Sequence, residues 1–149
     1  VCSRNLNLKE TEGNSFWVTA RKEDIEAKMR NVLGDNCAVQ GELIGEGIQG
    51  NIYGLKGTAF RVFDIYDIKA GSYVLPLVRQ RMVHEMKLEH APVITSQYNL
   101  CHSVDELLTY AEYKSVLADV EREGIVFKQL DGGMTFKAVS NRYLMKQKD

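Results

Sequence analysis

The run Val39-Gln-Gly-Glu-Leu-Ile-Gly-Glu-Gly-Ile-Gln-Gly-Asn51 places one carboxylate, Glu42, inside an apolar segment, directly after a glycine and just ahead of a glycine-rich turn. A carboxylate taken out of water must find hydrogen-bond donors or cations, or it loses its charge. That demand constrains the rest of the chain, because the partners have to come from elsewhere in the sequence. Three later segments carry aromatic and charged side chains within apolar runs: Phe60-Arg-Val-Phe-Asp-Ile65, Glu123-Gly-Ile-Val-Phe-Lys128 and Phe136-Lys-Ala-Val-Ser-Asn141. The remainder reads as scaffold that brings these four pieces together.

A chain of 149 residues is long enough for one domain with a sizeable core, and 44% hydrophobic with 26% charged residues is ordinary for a soluble globular protein. The formal net charge of −1 excludes gross attraction to nucleic acid, while 19 Lys and Arg against 20 acids leave room for a local basic face. Cys2, Cys37 and Cys101 are odd in number, widely spaced and without a CxxC pair, which fits reduced thiols and a cytoplasmic location. His84, His90 and His102 lack the spacing of a metal site. No segment approaches the ~20 apolar residues of a membrane span, so no membrane partner is expected. The chain opens without Met and is expected to be a fragment.

Alternation predicts a strand over residues 1–8 with Arg4 in its middle. Ile25, Met29, Val32 and Leu33 predict a helix over 22–33, stopped by Gly34. Strands are expected over 38–44 and 60–68, separated by a loop with five glycines over 45–57. Pro76 opens a second helix with Leu77, Val78, Met82 and Met86 on one face. A short strand over 93–99 follows. Ser103-Val-Asp-Glu106 is a capping box for a helix burying Leu107, Leu108 and Ala111. Strands over 123–130 and 134–139 flank the turn Asp131-Gly-Gly133. The sum is one α+β unit with mainly antiparallel pairing.

Gly45-Glu-Gly-Ile-Gln-Gly50 spells GxGxxG, with Asp64 or Asp67 near the distance a dinucleotide fold requires. The context fails: Gly54 and Gly57 follow where a helix should open, and no βαβ alternation or kinase-type lysine strand appears. Lys128 and Lys137 lie on one expected hairpin, so two ammonium groups can face the same acidic ligand. Phosphate suits them, with Glu42 or Glu123 for a divalent ion. Phe63 reads equally as core or as a ring that stacks on a purine. Arg4 is of the type preferred for bidentate phosphate contact. The helix over 77–88, with Arg79, Arg81, His84 and Lys87, reads as a solvated face or an RNA-facing surface.

The order Gly-Glu-Leu-Ile, Phe-Arg-Val-Phe-Asp-Ile, Glu-Gly-Ile-Val-Phe-Lys, Phe-Lys-Ala-Val-Ser-Asn resembles motifs III, IIIa, IV and V of the covalent nucleotidyltransferases, which include RNA and DNA ligases and mRNA capping enzymes. Cys-Ser-Arg-Asn-Leu and Gly-Glu-Gly-Ile-Gln-Gly-Asn are most similar to the RNA ligase 2 family. The resemblance runs from Arg4 to Lys146. It implies the mainly antiparallel, ATP-grasp-like ligase domain with packed helices, here its portion after motif I over residues 1–149.

The resemblance also implies roles. Glu42 would bind the ATP ribose and Phe63 would stack on adenine. Arg4 would contact the nucleotide phosphate or the 3′-OH end, Glu123 would hold Mg²⁺ or Mn²⁺, and Lys128 and Lys137 would meet the phosphates, Lys137 at the α-phosphate. The implied reaction forms AMP-lysine from ATP, passes AMP to a 5′-phosphate RNA end, and seals it to a 3′-OH. Such a site must neutralise charge on phosphorus and align an in-line attack, with Glu123, Lys128 and Lys137 as the catalytic set. Two departures stand out. No Lys-x-Asp-Gly occurs here, so motif I is expected upstream and this chain should not adenylylate itself. Motif V reads Lys137-Ala-Val139 where ligases commonly have KxK, and Lys146 lies too far along to replace the second lysine. An ATP-dependent DNA ligase, a capping-type enzyme and a non-catalytic nucleotide- or nucleic-acid-binding module remain alternatives. Oligomeric state is left open.

Overall fold

The computed structural model describes residues 1–100 and 103–146, so Cys101 and His102, weighed above as thiol and imidazole, lie outside the described residues. The chain divides into two units, Val1–Ala91 and Pro92–Asp149. Both mix helices with mainly antiparallel strands, as expected.

In the first unit, β1 (Cys37–Gly45) and β2 (Thr58–Asp67) run antiparallel. Val62 and Ile65 of β2 are fully buried with Val83, Met86 and Leu88. Ile25, Met29, Val32 and Leu33 of α2 (Ile25–Leu33) pack against this core from one side of their helix, as their spacing requires. Helix α1 (Ser15–Lys22) is capped by Asn14, whose side chain accepts from the amides of Phe16 and Trp17. It docks on β2 through the buried Thr19, whose hydroxyl meets that of Thr58 at 2.6 Å. On the edge of β2 away from β1, two short strands attach. β3 (Ser72–Tyr73) pairs antiparallel with Tyr66 and Asp67, and β4 (Glu89–His90) pairs parallel with Arg61 and Val62. Helix α3 (Pro76–Glu85), with Pro76 in its first turn, links them.

In the second unit, α4 (Val104–Ala111) opens on the expected capping box of Ser103 and Glu106. It covers the hairpin of β5 (Gly124–Lys128) and β6 (Thr135–Val139) by burying Ala111 against Ile125 and Ala138. Phe127 stacks on Phe136 at 4.9 Å and meets Tyr98 at 5.4 Å, so the packed face of the hairpin is apolar and aromatic. Ser140, buried, leads into α5 (Asn141–Lys146) and its hydroxyl accepts from the Tyr143 amide.

Several expectations give way. Residues 1–8 form no strand: a single bridge joins Cys2 to Asn7, and Arg4 sits at the exposed bend between them. The helix expected over 22–33 is α2 and starts only at Ile25; Lys22 ends the preceding α1, and Asp24 between them takes a left-handed conformation at φ 53°. Residues 93–99 form no strand and join no ladder among the described residues. Leu77 is 53% exposed, whereas Arg79 is 5% exposed. The buried stripe of α3 is therefore Arg79, Val83 and, just past its end, Met86. That rules Arg79 out of any RNA-facing surface, while Arg81, His84 and Lys87 remain exposed.

Candidate functional site

The first cluster grows out of an irregularity in the β1–β2 ladder. Gln40 faces Asp64 and the next residue, Gly41, faces Val62, so Phe63 is an extra residue, a β-bulge. The insertion breaks the alternation of β2: Val62 and Ile65 both turn into the core, and Phe63 is left 39% exposed. Gly41 is required opposite the bulge. A Cβ there would lie 2.5 Å from the Arg61 carbonyl oxygen and 2.5 Å from the Phe60 ring. Glu42, next along, faces Arg61 across the strands.

Glu42 is exposed and makes no ion pair among the described residues, contrary to the expectation that it is buried and needs a partner. The pleat explains this. Gly41 and Leu43 point to the side of Val62 and Phe60, which leaves Glu42 on the opposite face. A solvated, uncommitted carboxylate one strand from an exposed aromatic ring suits a ligand that carries both hydroxyls and a flat base. Arg61 pairs instead with Glu89 at 3.2 Å.

Immediately after Phe63, Asp64 receives a 3.0 Å bond from the buried Arg79 guanidinium, whose Nε donates to His90 Nε2 at 3.1 Å. Burial lowers the Arg79 pKa from the ordinary arginine value, and the Asp64 charge and hydrogen bond oppose that shift. Sequence reasoning put Arg79 on a helix surface and gave His90 no role, and so missed their part-buried pairing. The available signal was a charged residue in register with Val83 and Met86 on an otherwise apolar helical stripe.

The second cluster lies on the β5–β6 hairpin. Val126 faces Lys137 and Lys128 faces Thr135, so the two lysines share one face, opposite that of Ile125, Phe127, Phe136 and Ala138. Both lysines thus occupy the hairpin positions from which two ammonium groups could reach one side. Glu123, just before β5, forms an ion pair with Lys137. Both side chains are about half exposed, so this pair is weak enough for a ligand to exchange with it. Two backbone features hold Glu123 in place. Its carbonyl accepts from the Ser140 amide at 2.8 Å, and Gly124 passes so close to β6 that a Cβ would lie 2.1 Å from the Ala138 oxygen. The preceding Arg122 donates to the carbonyls of Tyr110 and Ala111, the open C-terminal end of α4.

The structure thus groups Glu42 with Phe63 in the first unit, and Glu123 with Lys128 and Lys137 in the second. Arg4 joins neither group through a contact within its own unit; it stands on the N-terminal bend. Val139, where a second motif V lysine would fall, faces Gly124 on the same side as Lys137. Among the described residues, no three His, Cys, Asp or Glu side chains assemble into a closed metal site, and no helix is long and apolar enough to cross a membrane.

These features define a mixed helix and antiparallel-sheet fold of the nucleotidyltransferase type, with carboxylate, aromatic and lysine side chains on its strands. The chain belongs to the RNA ligase family, whose model matches residues 1–146. Its fold coincides with that of a Naegleria gruberi RNA ligase. The variant solved with ATP and Mn is 42% identical and superposes with a TM-score of 0.93, covering 99% of this chain and 44% of that one. The same ligase with AMP and Mn gives 42% identity and a TM-score of 0.93, and with PPi 42% and 0.92, each covering 99% of this chain and 45% of that one. This chain therefore spans less than half the length of the ligase it matches. No curated protein matches it.

Proposed function

We propose that the protein is an ATP-dependent RNA ligase joining 5′-phosphate and 3′-OH RNA ends, and that this chain carries the motif III to V portion of its adenylyltransferase domain. The observation that carries the reading is 42% identity across 99% of the chain to a ligase solved with ATP and Mn. In this reading Glu42 accepts hydrogen bonds from the ribose hydroxyls and Phe63 stacks on adenine. Lys128 and Lys137 neutralise phosphate oxygens, and Arg4 contacts phosphate or the 3′-OH end.

The residues suit a divalent ion of the magnesium type. Glu123 offers one carboxylate, in keeping with the lack of any cluster of three His, Cys, Asp or Glu side chains among the described residues, and such ions are commonly held by one or two carboxylates together with substrate phosphates and water. When bound, the ion withdraws charge from the transferring phosphoryl group. Lys137 then has two possible partners, Glu123 or a phosphate, and gives up the first for the second. The nucleophilic lysine is not among these residues, since the sequence contains no Lys-x-Asp-Gly.

Calorimetric titration of ATP with Mn²⁺ on the complete protein tests the reading. Glu42→Ala should weaken binding by roughly tenfold, as expected for hydrogen bonds to a charged group. Equal affinity in wild type and variant would refute the pocket. Sealing assays with RNA or DNA on the 3′-OH side, and with GTP in place of ATP, separate an RNA ligase from its DNA-joining and capping counterparts.

A further inference from the structure

Between its two edge partners β2 has a gap. Ile65 is held on one side, its carbonyl accepting from the Val74 amide at 2.8 Å, and Val62 on the other, its carbonyl accepting from the Ala91 amide at 2.7 Å. Phe63 and Asp64 lie at the bulge between the stretches paired with β3 and β4, neither of which, among the described residues, extends its ladder to them. The side chain that reaches this gap is Arg79, bonded to Asp64 on β2 and to His90 on β4. A buried guanidinium with a carboxylate on one arm and an imidazole on the other ties the strands together on either side of the bulge.

The hydrogen bonds also specify the state of His90. Its Nε2 accepts from Arg79 Nε, so it carries no proton, and Nδ1 faces the Ala91 carbonyl, to which it must donate. A second ring proton would point at the guanidinium and remove the acceptor.

We propose that Arg79, Asp64 and His90 are positioning residues for Phe63: they close the gap in β2, hold the bulge that keeps the ring outward, and do so only while His90 is neutral. This inference rests on the reading of Phe63 as the adenine-stacking ring. Among the described residues, the charged groups on the elements packed near His90 include Arg79 on α3, which bonds to it, Asp64 and Arg61 on β2, Glu89 on β4, and Glu42 on β1 opposite Arg61. Arg81, His84 and Glu85 occupy the exposed side of α3. Unlike these carboxylates and guanidinium groups, an imidazole is of the type that changes charge between about pH 5 and 8.

The test is a double-mutant cycle on the complete protein, reading ATP affinity by calorimetry with Mn²⁺ present and folding by circular dichroism. Phe63→Ala should weaken ATP binding by roughly tenfold, the scale of base stacking on an aromatic side chain. Arg79→Met should weaken it comparably, and the double variant should be no weaker than the worse single one. Penalties that multiply would overturn the inference. A second measurement holds even if Arg79→Met fails to fold. His90→Gln keeps an acceptor for Arg79 but cannot become charged. From pH 7.5 down to about 5.5 the wild type should lose several-fold more affinity than His90→Gln, the titration of ATP itself being common to both. Coincident pH curves would overturn the inference. If Phe63→Ala and Glu42→Ala both bind ATP as the wild type does, the nucleotide reading itself falls, and this inference with it.

Discussion

Gly41→Ala tests the geometry on which the first cluster depends. The added methyl group would stand 2.5 Å from the Arg61 carbonyl oxygen and 2.5 to 2.6 Å from two atoms of the Phe60 ring. Ordinary contacts of this kind are longer by close to 1 Å, and neither neighbour can yield readily. The carbonyl belongs to the strand paired with β1, and the ring packs against the core of Val62, Ile65 and Met86. Relief requires β1 and β2 to part at the bulge, at a cost of about 1–3 kcal/mol as for an overpacked core. For a unit the size of Val1–Ala91 each kcal/mol lowers Tm by about 4–8 °C, so a fall on the order of 10 °C is expected. Thermal unfolding by circular dichroism reads it, with Gly13→Ala as control, since a methyl group there would meet nothing within 4 Å. Because Glu42 and Phe63 flank the parted strands, ATP affinity should fall as well. A Gly41→Ala protein melting within about 2 °C of wild type would refute the packing argument, since that corresponds to less than about 0.5 kcal/mol.

Ile65→Ala, at a fully buried site, should cost about 2–5 kcal/mol in urea unfolding; a loss under about 1 kcal/mol would mean the core is looser than its burial indicates. Ser103→Ala removes the accepting half of the α4 capping box and should cost about 1 kcal/mol, read as a lower urea midpoint. Hydrogen bonds from Arg21 hold the Glu10 and Glu26 carboxyls below the usual carboxylate range. Depressed values give stability that is complete above the unfolded pKa and lost as pH falls through the folded one. Wild type should therefore lose more Tm than Arg21→Ala between roughly pH 5 and 3, and 1 M salt should erase the difference because these groups are exposed. Burial, helped by the Asp67 charge, pushes the Cys37 thiol up, so alkylation at neutral pH should modify the exposed Cys2 well before Cys37 in peptide mass spectra.

Much of the scaffold was legible because it is written in short-range patterns. β1 and β2 follow from apolar, β-branched runs, α4 from its capping box, and the β5–β6 hairpin from Asp131-Gly-Gly133 between two strands. Alternation also put Lys128 and Lys137 on one face, because the period of a strand is set by its own backbone. Helix α1 was missed although Asn14 caps it, since Phe16 and Val18 on its surface stay exposed and leave no clear stripe. The absent strands over 1–8 and 93–99 failed for another reason. Alternation permits a strand, but only a partner with free hydrogen-bonding groups makes one.

By itself, then, the order of residues determined the strand and hairpin chemistry and the family motifs, all of which depend on neighbours a few positions apart. Only the tertiary structure decided that Glu42 faces water, that Phe63 is the extra residue of a bulge, and that Arg79 is buried between Asp64 and His90. The physical reason is register. One residue inserted into a ladder exchanges inside for outside, and that choice is made by the facing strand and the helix packed on it, not by the segment that bears the bulge.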